Sequence, residues 1–318
     1  MNKRIMLIVA FIILTIVSLF IGVVGVNLKD LIGLNKDTWF IVFNSRLPRT
    51  LAIILTATSM SIAGLIMQTI SKNKFVSPSV VGITDSAQLG ILIAFVFLGS
   101  LSLSFKLLFA FAFSVLGAFT FMMILNKIKF KNAIYVPLVG MMFAGVISAI
   151  VSFIAYQYNL TQFISTFGVG SFSIIVAGNY ELLYVVLGPL VIAYIYMMQF
   201  NIIGVGEDFA KNLGLNYKRT LMVGLVIVAL ITASTYVIVG AIPFIGLIVP
   251  NLISLYYGDN LKKTFLDVGL FGSVLVLAAD IISRVIIFPY EIPISLTMGV
   301  LGGVVFLYLI FRRVNYAK

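Results

Sequence analysis

The chain is divided by largely uncharged apolar runs near 5–26, 50–70, 86–105, 107–126, 133–156, 182–200, 220–240, 244–258, 266–287 and 292–311. A run of about 20 such residues, wound as an α-helix, spans the ~30 Å hydrocarbon layer of a bilayer. A helix also satisfies its own backbone groups where no water can. The pattern therefore predicts an all-α, polytopic membrane protein with about ten transmembrane helices. What remains between the runs is too short for a separate globular unit, so residues 1–318 are expected to form one membrane domain. The first run follows Lys3 and Arg4 but is longer than a signal-peptide core and lacks a small-x-small cleavage site, which predicts a retained span.

Two regions need interpretation. Asn132 to Tyr180 carries no charged residue and is too long for one span. Its second part holds Asn159, Gln162, Gly168, Gly170 and Gly178, and is expected to be an irregular outer segment. Thr220 to Gly258 has room for two spans, with Pro243 and Pro250 as breaks. The element at 244–258, about 22 Å long at 1.5 Å per residue, is expected to pack inside protein. If it did not cross, the C-terminal bases would change sides and the lysine and arginine asymmetry would disappear. The positive-inside rule thus favours ten crossings with both termini and residues 201–219 in the cytoplasm.

Composition narrows the chemistry. The chain has no cysteine and no histidine, which removes disulfides, thiolate chemistry, the commonest metal ligand and the usual general base. The net charge of +11 comes from lysines and arginines scattered at span ends, a pattern of membrane topology and not of nucleic-acid binding. No G-x-x-x-x-G-K-[ST] loop is present, so any ATP-driven work must come from another chain.

One polar stretch, Asn201 to Thr220, interrupts the apolar pattern. Glu207 and Asp208 come first, Lys211 lies four residues after Glu207, and Gly214 follows, the order of a short helix with its start and stop signals. An ordinary solvated loop is the alternative. At the other side of the membrane, Arg46 and Arg49 flank Leu47 and Pro48 at the expected outer end of span two. Arg284 sits one turn after Asp280. Headgroup contacts and an i, i+4 pair account for these charges; a positive surface for an acidic partner or an anionic substrate is the other reading. Asp85 and Asp280 are the carboxylates at membrane depth. A proton-coupled secondary carrier or an intramembrane aspartyl protease would have to use them. Against the protease, Asp280 has Arg284 beside it and the two aspartates are expected near opposite faces. The small-residue segments Thr56 to Gly64 and Gly299 to Gly303 predict close helix packing. The Gly64-Leu65-Ile66 and Gly246-Leu247-Ile248 echo is too short to be a repeat.

Five blocks in order carry a family resemblance: SRLPRT at 45–50, GLIMQ at 64–68 with 73–82, GEDFAKNLG at 206–214, GAIPFIGLIVPNLISLYYG at 240–258, and 280–306 with Asp280, Arg284, Glu291 and Pro293. Together they resemble the iron-siderophore and vitamin B12 permeases, the membrane subunits of type II ABC importers. The stretches SKNKFVSP, PNLISLYYGDNLK and IIFPYEI look most like Gram-positive permeases for catecholate siderophores of the petrobactin type. Departures are Lys74-Phe75 where the family usually has Pro-Leu, Asn251 where it usually has His, and Ser295 and Gly303 for Gly and Pro.

The resemblance implies a subunit with no chemistry or cofactor of its own in a multi-pass cell-membrane assembly. It also implies a dimer with a second copy or a paralogous permease, a cytoplasmic ATPase that binds the ATP, an extracellular substrate-binding lipoprotein and a ferric siderophore as cargo. Haem and cobalamin are the alternative cargoes. Carried onto matching positions, Gly206, Glu207, Asp208, Ala210, Leu213 and Gly214 would couple to the ATPase. Arg46, Arg49 and Arg284 would meet acidic residues of the binding protein.

Overall fold

The computed structural model describes residues 3–22, 35–99, 102–128, 135–258 and 261–316, with single positions at 25, 29 and 33. The end of the first expected span at Val26 lies outside the described residues. Helices in chain order are α1 (Lys3–Phe20), α2 (Lys36–Ile70), α3 (Ile83–Leu98), α4 (Leu103–Lys127), α5 (Tyr135–Gln157), the short α6 (Thr161–Gly168), α7 (Glu181–Val205), the short α8 (Glu207–Asn212), α9 (Tyr217–Ile238), α10 (Ile245–Tyr257), α11 (Leu261–Val285) and α12 (Ile294–Tyr316). Six of these are long and apolar enough to cross a membrane and four more are shorter apolar helices, which together match the ten expected spans.

Burial sorts them into layers. The apolar windows of α2 and α9 are 72% and 78% buried, against 22–33% for α4, α5 and α7, so α2 and α9 form the centre and the others face outward. Around α2 pack α7, α9, α10 and α11, with α1 along one side. Small residues permit this closeness. A Cβ on Gly64 would stand 1.9 Å from the carbonyl oxygen of Gly246. The Gly64 and Gly246 echo is therefore a contact between α2 and α10, made without a repeat.

Three boundaries differ from the sequence reading. Helix α2 begins at Lys36 and not near residue 50, so Arg46 and Arg49 lie within it. Its π-helical turn at Val42–Arg46 lets the chain absorb Pro48, which has no N–H for the carbonyl of Asn44. That carbonyl instead accepts from the amide of Ala177 at 3.0 Å. Lys106 lies in the first turn of α4, not in a connection. Pro250 does not break its helix: α10 runs through it, and the carbonyl of Gly246 that it leaves free accepts from Gln68 Nε2 at 3.2 Å. Pro243 does mark a break, between α9 and α10. In both helices a proline at membrane depth is tolerated because another group takes the orphaned carbonyl. As expected, α10 is largely buried in protein and 157–180 is irregular apart from α6.

Candidate functional site

The polar stretch forms a tight helical corner at one end of the bundle. Helix α7 ends at Val205, α8 follows Gly206, and α9 starts at Tyr217 behind an N-cap bond from Arg219 N–H to Asn216 Oδ1 at 3.0 Å. Glu207 and Asp208 open α8, and Lys211 Nζ lies 2.8 Å from Glu207 Oε1. That bond and charge hold the Glu207 carboxyl below its usual range and raise Lys211. The helix stops in a Schellman arrangement: Leu215 N–H donates to Ala210 O at 3.0 Å and Gly214 N–H to Lys211 O at 2.9 Å. Gly214 sits at φ +76°, where a side chain is strained. Ala210 is fully buried and anchors α8 against the bundle.

This corner leaves three apolar side chains exposed. Val205, Phe209 and Leu213 are 65%, 48% and 56% exposed. They are apolar exceptions inside a polar stretch, a signal that the charge-based reading of this segment passed over, although the extended Gly206 separates Val205 in α7 from Phe209 in α8. Exposed apolar side chains beside the Glu207–Lys211 pair make a surface of the kind that protein contacts use.

At the opposite end, α1, α2, α11 and the segment before α12 converge on a buried ion cluster. Arg49 Nη2 donates to Asp280 Oδ1 at 2.8 Å and Arg49 Nη1 to Glu291 Oε2 at 2.7 Å. Arg284 Nε donates to the other oxygen of Asp280 at 2.8 Å, and its Nη2 reaches the same oxygen. Arg284 Nη1 also caps the end of α1, donating to Ile21 O at 2.7 Å and Ser18 O at 2.9 Å, while Arg46 Nη1 adds a bond to Ile21 O at 3.1 Å. Helix C-terminal carbonyls without intrahelical partners favour such cations. The structure thus brings Arg46, Arg49 and Arg284 together, each nine-tenths or more buried. Three guanidiniums face two carboxylates, which leaves the cluster one net positive charge. The i, i+4 pairing of Asp280 with Arg284 is present, and Asp280 is fully engaged, so it is not free to share a proton with Asp85. The end of α1 as a partner of the arginines had no sequence signal, because its contribution is backbone carbonyls.

Between these ends lies a cavity of about 310 Å³ near α8, whose lining includes Gln68, Lys72, Asn73, Lys74, Asn201 and Ser254. Lys74 and Asn251, two of the departures from the family pattern, touch: Asn251 Nδ2 donates to Lys74 O at 2.7 Å. A second cavity of about 270 Å³ lies deeper, among α2, α3, α9 and the break before α10.

The comparisons agree with this architecture. The model of the FecCD transport family matches residues 10–312. The petrobactin import system permease protein YclN of Bacillus subtilis is 49% identical over 311 residues, covering 98% of each chain. The ferric-anguibactin transport system permease protein FatD of Vibrio anguillarum is 41% identical, covering 95% of this chain and 96% of its own. Among solved structures, a metal-chelate type ABC transporter in an inward-facing conformation superposes with a TM-score of 0.81 at 24% identity, covering 96% of this chain and 97% of its own. That likeness establishes the fold. The chain is a multi-pass membrane protein and belongs to the FecCD transport family.

Proposed function

We propose that this chain is the permease subunit of an ATP-driven importer and carries an iron(III)-siderophore complex, of the catecholate or petrobactin type, into the cytoplasm. The observation that carries the reading is 49% identity, across nearly the whole of both chains, to a petrobactin import permease. The hemin permease HmuU of Yersinia pestis is 28% identical, which places haem behind a siderophore as cargo. A proton-coupled carrier has less support, since Asp280 is held between two guanidiniums.

In this reading α8 faces the cytoplasm, with both termini on that side, and residues 1–318 act as one permease domain. Gly206 and Gly214 fix the ends of the knob, Ala210 seats it, and Glu207, Asp208 and Leu213 meet the ATPase together with Phe209 and Val205. The chain has no cofactor of its own; ATP is bound and hydrolysed by the partner. Closure of the two ATPases moves the knob and, through α7 and α9, reopens the path on the other side. A second permease copy or a paralogue completes the path. The Arg46, Arg49 and Arg284 cluster lies near the outer end; buried and bonded within the chain, it would attract acidic residues of the docking extracellular binding protein through its one net positive charge and not by direct contact.

The test is to tag the chain, extract it gently from native membranes and identify stoichiometric companions. A soluble ATPase, with or without a second permease, supports the reading. Recovery of this chain alone, even under crosslinking, favours a secondary carrier.

A further inference from the structure

Helices α1 and α11 run in parallel and are pinned at both ends. Near their starts, Arg4 Nε lies 2.9 Å from Asp267 Oδ1. Near their ends, Arg284 Nη1 donates to Ser18 O at 2.9 Å and to Ile21 O at 2.7 Å. Helix α1 packs chiefly on α11, and an open groove of about 590 Å³ lies among α1, α2 and α11. Its walls include Ile8 and Phe11 of α1, Ile54 and Ile62 of α2, and Phe265 and Leu270 of α11, with the Arg4 and Asp267 pair toward one end. From Phe265 to Ser273 the groove follows α11 for eight residues, about 12 Å at 1.5 Å per residue, most of the ~15 Å that one leaflet contributes to the hydrocarbon layer.

The groove faces lipid. On the outward side of α1, Ile5, Ile8, Val9, Ile12, Ile13 and Ile16 are exposed. Contacts between membrane helices favour small residues, so this bulky, branched face suits acyl chains better than another helix.

Charge at the mouth selects the headgroup. Lys3 and Arg4 open α1, and Lys262 and Lys263 lie in the first turn of α11. In the sequence Asp259 and Asp267 are the acids near them, so four bases against two carboxylates leave the set positive. The Arg4 side chain is 48% exposed, so a ligand in the groove reaches it. Asp267 engages Arg4 at Nε, and Arg4 has no other partner among the described residues. Its two terminal nitrogens are left for an oxyanion, and a guanidinium fork matches a phosphate in shape as well as charge. Basic pockets between membrane helices on the cytoplasmic side recurrently hold anionic headgroups.

We propose that this groove binds an anionic phospholipid of the inner leaflet, with its phosphate on Arg4 and an acyl chain along α2 and α11. Asp267 orients Arg4, the lysines draw in the negative headgroup, and the chain fills the space beside α1 and completes its packing on the bundle. The choice of leaflet rests on the orientation proposed above; the binding itself requires neither ATP nor cargo.

Native mass spectrometry of the detergent-purified protein, titrated with phosphatidylglycerol or with phosphatidylcholine of the same chains, reads the preference. Retention of one phosphatidylglycerol per chain at about tenfold lower lipid concentration than phosphatidylcholine is expected; equal retention overturns the proposal. The R4Q/D267N variant removes the cation and its carboxylate together, so neither charge is stranded, and is expected to bring the two lipids within about twofold of each other. A preference that survives in it overturns the role of Arg4. Should that variant insert poorly, Ile8→Trp, at an exposed position on the groove wall, is expected to lower phosphatidylglycerol retention about fivefold at normal membrane level, by steric filling of the groove; full retention overturns the groove as the site. The chain has no cysteine, so Ile8→Cys separates lipid from a second copy of the chain. No oxidant-driven dimer is expected in native membranes, and efficient crosslinking overturns the proposal in favour of a contact between chains. A wild-type chain that supports no iron-chelate uptake would fault the importer reading and leave the lipid measurements as they stand.

Discussion

Gln68 Nε2 donates to the carbonyl oxygen of Gly246 at 3.2 Å, the group whose helical partner is missing because residue 250 is proline. The same amide also reaches Leu247 O at 3.2 Å. One side chain of α2 thereby completes the backbone of α10 at the point where Gly64 and Gly246 let the two helices touch. Replacing Gln68 by Leu is expected to cost about 1 to 3 kcal/mol, the cost of a buried acceptor left unpaired. In a Pro250→Ala background the alanine N–H can bond Gly246 itself, and the cost of Gln68→Leu should shrink by half or more. Melting curves of the four proteins in detergent form the cycle; equal costs in both backgrounds would contradict this account of Pro250.

The glycine contact gives a second expectation. Gly64→Ala would put a carbon on the backbone of α10 and is expected to lower membrane levels severely. Gly303→Ala, where a Cβ meets nothing within 4 Å, is expected to leave them unchanged. Immunoblots of membrane fractions distinguish the two, and tolerance at Gly64 would mean that α2 and α10 do not approach as described.

The ion cluster predicts an asymmetry between its two acids. Asp280 is buried between Arg49 and Arg284, so Asp280→Asn leaves the buried Arg284 without a carboxylate and Arg49 with Glu291 alone, and is expected to destabilise by about 3 to 5 kcal/mol. Glu291 bonds Arg49 alone and its side chain is 19% exposed, so Glu291→Gln should cost less than half as much. Thermal unfolding in detergent measures both; a larger loss at Glu291 would reverse the ranking of the partners.

Much of this fold was legible in the sequence because lipid imposes one rule on every span. Apolar run length, with the lysine and arginine asymmetry deciding 244–258, located ten helices, and the Glu207, Lys211, Gly214 order located α8. The start of α2 was not legible: Lys36, Asp37, Arg46 and Arg49 read as a polar connection, yet Arg49 is paired with Asp280 and Glu291, more than 230 positions away, and Arg46 bonds a carbonyl at the end of α1. Pro250 misled for a similar reason, since its compensation comes from Gln68 on another helix. Residues in the local blocks were found; the partners that make those residues tolerable at depth come from tertiary structure, which a local pattern does not carry.

The knob formed by α8 predicts separable effects. Glu207→Arg faces Lys211 with a like charge on an exposed surface, so the chain should still insert, while ATP-dependent uptake falls at least tenfold. Because Lys211 holds the Glu207 carboxyl below its usual range, the wild-type pair is fully present at neutral pH. It is lost only as pH falls through that lowered value, so mild cytoplasmic acidification should leave coupling intact. Phe209→Ser should impair uptake comparably without altering membrane level. Normal uptake in both variants would remove α8 from the coupling role.

The most direct measurement is radioiron uptake by cells that lack every other iron-chelate permease, with and without this chain, supplied with a ferric catecholate siderophore and then depleted of ATP. The account predicts accumulation that requires the chain, stops when ATP is removed and persists when the proton gradient alone is collapsed. Uptake that survives ATP depletion but collapses with the proton gradient would contradict it.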